Sequence, residues 1–130
     1  MKRFLLLPRS TRYIVARSHS GELLQGTLDV LILKTVSWGP RHGYAIARWL
    51  EETTDETLAI EEGSMYPALY RMERRGWIEA EWGTSELGRK AKFYALTDSG
   101  RARLDDEVRT WRRLSSAVTK VLDVARPTPA

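Results

Sequence analysis

The chain has 130 residues, with 21 Lys and Arg against 17 Asp and Glu, a net charge of +4 and no cysteine. That is one domain's worth of chain, and 42% hydrophobic and 29% charged residues lie near the globular average, which excludes wholesale disorder, collagen-like repeats and a disulfide scaffold. Without cysteine there is no thiol catalysis, Cys-ligated zinc or iron–sulfur cluster, and a reducing, cytoplasmic setting is expected. No apolar run exceeds the four residues of Val30 to Leu33, far short of the roughly 20 that a membrane span requires, so a soluble protein with no membrane partner is expected.

Residues 1–20 contain Lys2, Arg3, Arg9, Arg12 and Arg17 and no acid, so this block alone is +5. Its apolar stretch, Phe4-Leu5-Leu6-Leu7 before Pro8, is shorter than the roughly 7 to 15 residues of a secretory signal. A disordered basic arm is expected, or a start upstream of the native one. Residues 21–60 carry −3, residues 61–97 are neutral and residues 98–130 carry +2, so the chain without its first block is −1. The net charge by itself therefore says little about the folded part.

From Leu23 to Trp38 apolar residues fall at 24, 28, 31, 32 and 36, one helix face, with Val30 and Leu33 on another. A helix apolar on more than one side needs two burial partners. Gly39-Pro40 stops it, and a second helix runs from about Gly43 to Thr53. The acidic stretch Glu51 to Glu56 reads as a solvated loop. Ser64 is expected to cap a third helix with Pro67 in its first turn, and Gly76 to close it. Trp77 to Trp82 alternates, with Ile78, Ala80 and Trp82 on the inward side. A loop from Gly83 to Gly88 leads to a return strand, Arg89 to Leu96, and Thr97 caps a long final helix. After it Arg126-Pro127-Thr128-Pro129-Ala130 forms a tail, since Pro127 lacks an N–H and disfavours helical angles before it.

Helix, helix, helix, hairpin, helix is the order of a winged helix, in which the third helix usually reads DNA and the hairpin is the wing. The expected class is mainly α with a small β-hairpin: a winged helix-turn-helix domain over 21–96, a C-terminal dimerisation helix over 97–125 and a tail over 126–130. With Met65, Leu69 and Met72 in the core, 100° per residue turns Ser64, Pro67, Arg71 and Arg74 outward. Tyr70 and Arg75 flank that face, and Tyr66 lies nearer the core edge at the helix N-terminus. Free N–H groups there suit a phosphate, and arginines one or two turns later reach guanine edges. Mixed charges are also common on ordinary solvated helices. Arg89, Lys90 and Lys92 cluster after the flexible turn, where they would grip phosphate or a minor groove, or guard an edge strand against aggregation.

The final helix carries Leu104, Val108, Trp111, Ser115, Val118, Leu122 and Ala125 at alternating steps of four and three, a coiled-coil seam. Some 28 residues span about 42 Å, more than so small a domain covers, so a second chain is expected along it. Leu24, Leu28 and Leu31 of the first helix offer the matching surface. No phosphate loop, dinucleotide glycine motif or His-Glu-x-x-His run occurs, and His19 and His42 have no partnered carboxylate pair. No catalytic site, metal or cofactor is expected. His42 before Gly43 reads as a cap or packing residue.

Leu24-Gln25-Gly26-Thr27-Leu28-Asp29, His42-Gly43-Tyr44-Ala45-Ile46, Gly63 to Leu69, Met72 to Ile78, Arg89 to Tyr94 and Tyr94 to Gly100 resemble the successive signatures of PadR-type transcriptional regulators. The resemblance covers roughly 21–125, especially the short subfamily with one C-terminal helix, and not the first 20 residues. It implies a homodimeric winged-helix repressor on a pseudo-palindromic double-stranded DNA site, with the first and last helices building the dimer. It also implies release by a small aromatic effector, because the position matching Trp111 lines a central apolar cavity in relatives. The alternative kept open is a winged domain that binds protein and not DNA.

Overall fold

The computed structural model describes residues 14–16 and 22–126. The cations of the first block and the tail from Pro127 on lie outside the described residues. Within the expected arm, Ile14–Ala16 forms a strand, β1.

Helix α1 spans Glu22–Thr35 and runs on through a 3-10 turn, Val36–Trp38, to Gly39, whose φ of 150° favours glycine. A two-residue strand, β2 (Arg41–His42), leads into α2 (Gly43–Thr53). His42 Nδ1 accepts a hydrogen bond from the Ala45 N–H at 3.1 Å and so caps α2. Strand β3 (Leu58–Ile60) pairs in parallel with β1 and is followed by α3, Glu62–Arg74. Strands β4 (Ile78–Thr84) and β5 (Lys90–Leu96) form the hairpin, and α4 spans Asp98–Leu122. Thr97 Oγ1 caps α4 by accepting from the Gly100 N–H at 3.0 Å. No helix of the described residues is long and apolar enough to cross a membrane.

The wing is three-stranded, in the order β2-β5-β4, all antiparallel. Arg41 pairs with Tyr94, and Ile78 to Thr84 pair with Leu96 to Lys90. Two residues are too few to show the alternation that marks a strand, so β2 left no periodic signal. The core joins Ile32, Leu33 and Val36 with Ile46, Leu50, Met65, Leu69, Met72 and Ile78, all nearly devoid of solvent. The stripe expected on the third helix is therefore present.

Several expected placements differ. Helix α3 begins two residues earlier than Ser64, with Glu61 in extended geometry at its cap and its carbonyl accepting from the Ser64 and Met65 N–H groups at 3.0 and 2.9 Å. Ser64 is thus a buried residue of the first turn. Pro67 falls in the second turn, where its missing N–H leaves the Gly63 carbonyl without its helical partner. Gly76, at φ 76°, closes α3 as expected, and the Trp77 N–H returns to the Met72 carbonyl at 3.0 Å. Trp82, expected inward, is 62% exposed. The hairpin projects past the helices, so no core lies beneath it beyond Ala80.

Candidate nucleic-acid interface

On α3 the outward face holds Tyr66, Pro67, Tyr70, Arg74 and Arg75, all exposed. Tyr70 is 61% exposed and lies under the Arg74 guanidinium, 5.7 Å from ring centroid to Cζ. Arg75 lies over Trp77 at 5.2 Å. A cation over an aromatic ring keeps its charge, so both guanidinium groups remain able to bind phosphate or a base edge, with one Arg74 N–H donating to the Tyr70 hydroxyl at 3.4 Å.

Arg71 departs from its expected place. It leans toward α1 and pairs with the Asp29 carboxylate, the two side chains 25% and 13% exposed. The outward vector counted from Met65, Leu69 and Met72 ignores what stands beside the helix, and α1 presents a carboxylate there. Lys92 is likewise engaged, its Nζ donating to Glu73 Oε1 of α3 at 3.2 Å. Arg89 and Lys90 are exposed and make no ion pair with the described residues.

Between the start of α2, the start of α3 and the hairpin lies an open cleft of about 730 Å³. Tyr44, Tyr66, Trp82 and Tyr94 wall it, Arg89, Lys90 and Lys92 stand along the hairpin side, and the carboxylates of Glu62 and Glu86 also line it, so its positive stretch is the one beside Arg89 and Lys90. Lys90 Nζ sits 5.1 Å over the Trp82 ring. His42 Nε2 is 3.7 Å from Glu86 Oε2 of the hairpin turn, beyond hydrogen-bond distance. A Cβ on Gly43 would stand 2.9 Å from the Tyr66 ring, so glycine there lets the two helix starts approach. Burial, with the Glu62 carboxylate adding to it, pushes the Tyr66 phenol up, and the hydroxyl stays protonated as a donor.

The cleft brings together Tyr66, Lys90 and Arg89 as the sequence suggested, and adds Tyr44 and Trp82, which it did not. By pattern Tyr44 is one more apolar position of an amphipathic helix and Trp82 of a strand, and an aromatic side chain in such a pattern carries no mark of exposure. Arg48 also belongs beside the cleft, its guanidinium 6.0 Å from the Tyr44 ring and hydrogen-bonded to Glu52 at 3.1 Å. A walled groove of phenol and indole donors with cations on one side fits a sugar–phosphate strand, with the α3 arginines beyond it for base edges. Among the described residues no group of three or more His, Asp or Glu side chains is placed to hold a metal ion.

The expected dimer surface is also redrawn. Leu28 and Leu104 are buried within the chain, because the first two turns of α4 lie against α1. Leu31 and Val108 are half-buried against the same core, and the Leu24 side chain lies outside the described residues. From Trp111 onward α4 leaves the body. Trp111 is 46% exposed, and Val118 and Leu122 are exposed with it while Ser115 is half-exposed. Leu114 and Val121 widen the same stripe.

Comparison with known proteins supplies relatives for this arrangement. A family model described as the transcriptional regulator PadR-like family matches residues 32–106, which contain the cleft and α3. An uncharacterised protein X of Lysinibacillus sphaericus is 30% identical over 97 residues, covering 75% of this chain and 89% of that protein. Among solved structures, a PadR-like transcriptional regulator of Bacillus cereus is 32% identical, with a TM-score of 0.68 over 80% of this chain and 99% of that one. A transcriptional regulator of Streptococcus is 27% identical, with a TM-score of 0.69 over 80% of this chain and all of that one.

Proposed function

The chain belongs to the PadR-like family of transcriptional regulators and is a DNA-binding regulator of winged-helix fold, and on that premise we propose that it works as a homodimeric repressor released by a planar aromatic effector. The observation that carries the reading is the cleft between α3 and the hairpin, with Arg89 and Lys90, which make no ion pair among the described residues, on one side and the exposed arginines at the end of α3 beyond. Tyr44, Tyr66 and Trp82 seat the backbone of one strand, while Lys90 and Arg89 neutralise its phosphates. Arg74 and Arg75, with Tyr70 beside them, reach the major groove.

The exposed stripe of α4 supports the dimer. Trp111, Leu114, Val118, Val121 and Leu122 leave a helix face open that a second copy of the same helix would cover. Two-fold symmetry would then set two reading helices on half-sites about one turn of DNA apart. Trp111 would face the space between the two copies, where a flat apolar ring offers stacking to an aromatic compound.

Selection of bound fragments from genomic DNA with the purified protein tests the reading. Enrichment of a pseudo-palindromic sequence is expected, as is release of that duplex by planar aromatic compounds. No enrichment over random DNA would favour a protein-binding winged domain.

A further inference from the structure

Besides its apolar stripe, helix α3 is tied at its C-terminal end and by two ion pairs. Its C-terminal turn is gripped by the start of α4: the Thr97 N–H donates to the Trp77 carbonyl at 3.1 Å, and the Thr97 and Ser99 hydroxyls donate to the Gly76 carbonyl at 2.5 and 2.8 Å. The other two ties leave from the residues on either side of the fully buried Met72. Arg71 reaches Asp29 of α1, and Glu73 accepts from Lys92 of β5. The core fixes the depth of the helix and α4 fixes its end, whereas a greasy stripe of Met65, Leu69 and Met72 resists roll about the axis only weakly. With a radius of about 6 Å including side chains, a roll of about 15° moves a side-chain tip by about 1.5 Å. That displacement takes a guanidinium fork out of reach of a base edge, because N–H···O contacts fade outside about 2.7 to 3.2 Å.

The chemistry of the pair agrees. Burial pushes the Asp29 carboxyl above its usual range despite the hydrogen bond and charge of Arg71, and Glu107 of α4 adds to the rise while Arg75 opposes it. An ion pair that does not offset its own desolvation contributes little to stability, and fixed geometry is the use left to it. For Arg71 to turn to DNA it would have to abandon a carboxylate that has lost most of its water, which is costly.

We infer that Arg71 is a positioning residue: braced against Asp29, and opposite Lys92 on Glu73, it sets the roll of α3 and does not itself read DNA. The inference rests on the DNA-binding role proposed above. It is tested by titrating the duplex recovered in that selection, at several salt concentrations, against wild type, Asp29→Asn, Arg71→Met and the double variant. Each single change is expected to weaken binding about tenfold, and the double no further, since all three remove one brace. The salt dependence is expected to stay as in wild type, because no phosphate contact is lost. Asp29→Asn at wild-type affinity, beside an Arg71→Met variant that loses affinity and about 0.9 of salt slope, would make Arg71 a DNA contact and overturn the inference. Arg71→Lys keeps the ion pair and serves if the other variants unfold: affinity within about threefold of wild type is expected, and a loss of about tenfold in a folded Lys variant would overturn it. A wild type that binds no duplex overturns the DNA-binding role as well, an outcome distinct from the others.

Discussion

Asp29 and Arg71 show how far a single helix can be read in isolation. Counting 100° steps from the core residues places Ser64 and Arg71 outward and Tyr66 nearer the core edge; Pro67, Tyr70, Arg74 and Arg75 are exposed as that count expects, whereas Ser64 is buried in the first turn and Tyr66 is exposed. Arg71 differs because a carboxylate 42 positions earlier in the chain stands next to it. That carboxylate also gives the molecule a pH dependence. Its pKa is raised on folding above an ordinary value of 3.8, chiefly by burial, so the folded state holds the proton more tightly than the unfolded one. The contribution is fully present below the unfolded value and is lost as pH rises through the folded value, so stability falls across that window. The stability of wild type relative to Asp29→Asn, read from thermal melts of both between pH 3 and 7, is expected to fall as pH rises; a difference constant across that range would refute it.

At the scale of elements, caps were the most legible signals, since they depend on neighbours in sequence. Thr97 and His42 cap α4 and α2, and Gly76 ends α3. The start of α3 was misplaced because Ser64 is a good cap by type, yet the backbone turns helical already at Glu62, directly after β3. The junction of α3 and α4 turns on Gly100, where any Cβ would overlap the Trp77 carbonyl oxygen and crowd Leu96. Gly100→Ala is expected to cost about 2 kcal/mol through this overpacking, lowering the melting temperature by about 10 °C. An unchanged melting temperature would show that α4 shifts without strain. Trp82 illustrates the opposite limit of element-level reading, because alternation tells which residues share a face and not where the core beneath that face ends.

For the whole molecule, the decisive length is that of α4. Its first turns bury Leu104 against α1, and everything from Trp111 on carries apolar side chains into open space. Light scattering is expected to give twice the 14.9 kDa chain mass at micromolar concentration, and Val118→Asp is expected to shift the mass toward the single chain by placing a charge in the seam. A monomeric wild type would leave the stripe unexplained by self-association.

Sequence alone determined what depends on local chemistry and periodicity: the helix and hairpin order, the caps of α2 and α4 and the glycine end of α3, the core stripe of α3, and the apolar seam too long for its own domain. The tertiary structure decided which cations are free. Of the basic side chains on the third helix and wing, Arg71 and Lys92 are spent on Asp29 and Glu73, while Arg74, Arg75, Arg89 and Lys90 face outward. It also drew Tyr44 and Trp82 into the cleft and moved Leu28 and Leu104 from the dimer surface into the core. The reason is the same in each case: a side chain's charge and shape are written in the sequence, but what neutralises or covers it comes from another element, and only the packing of elements brings the two together.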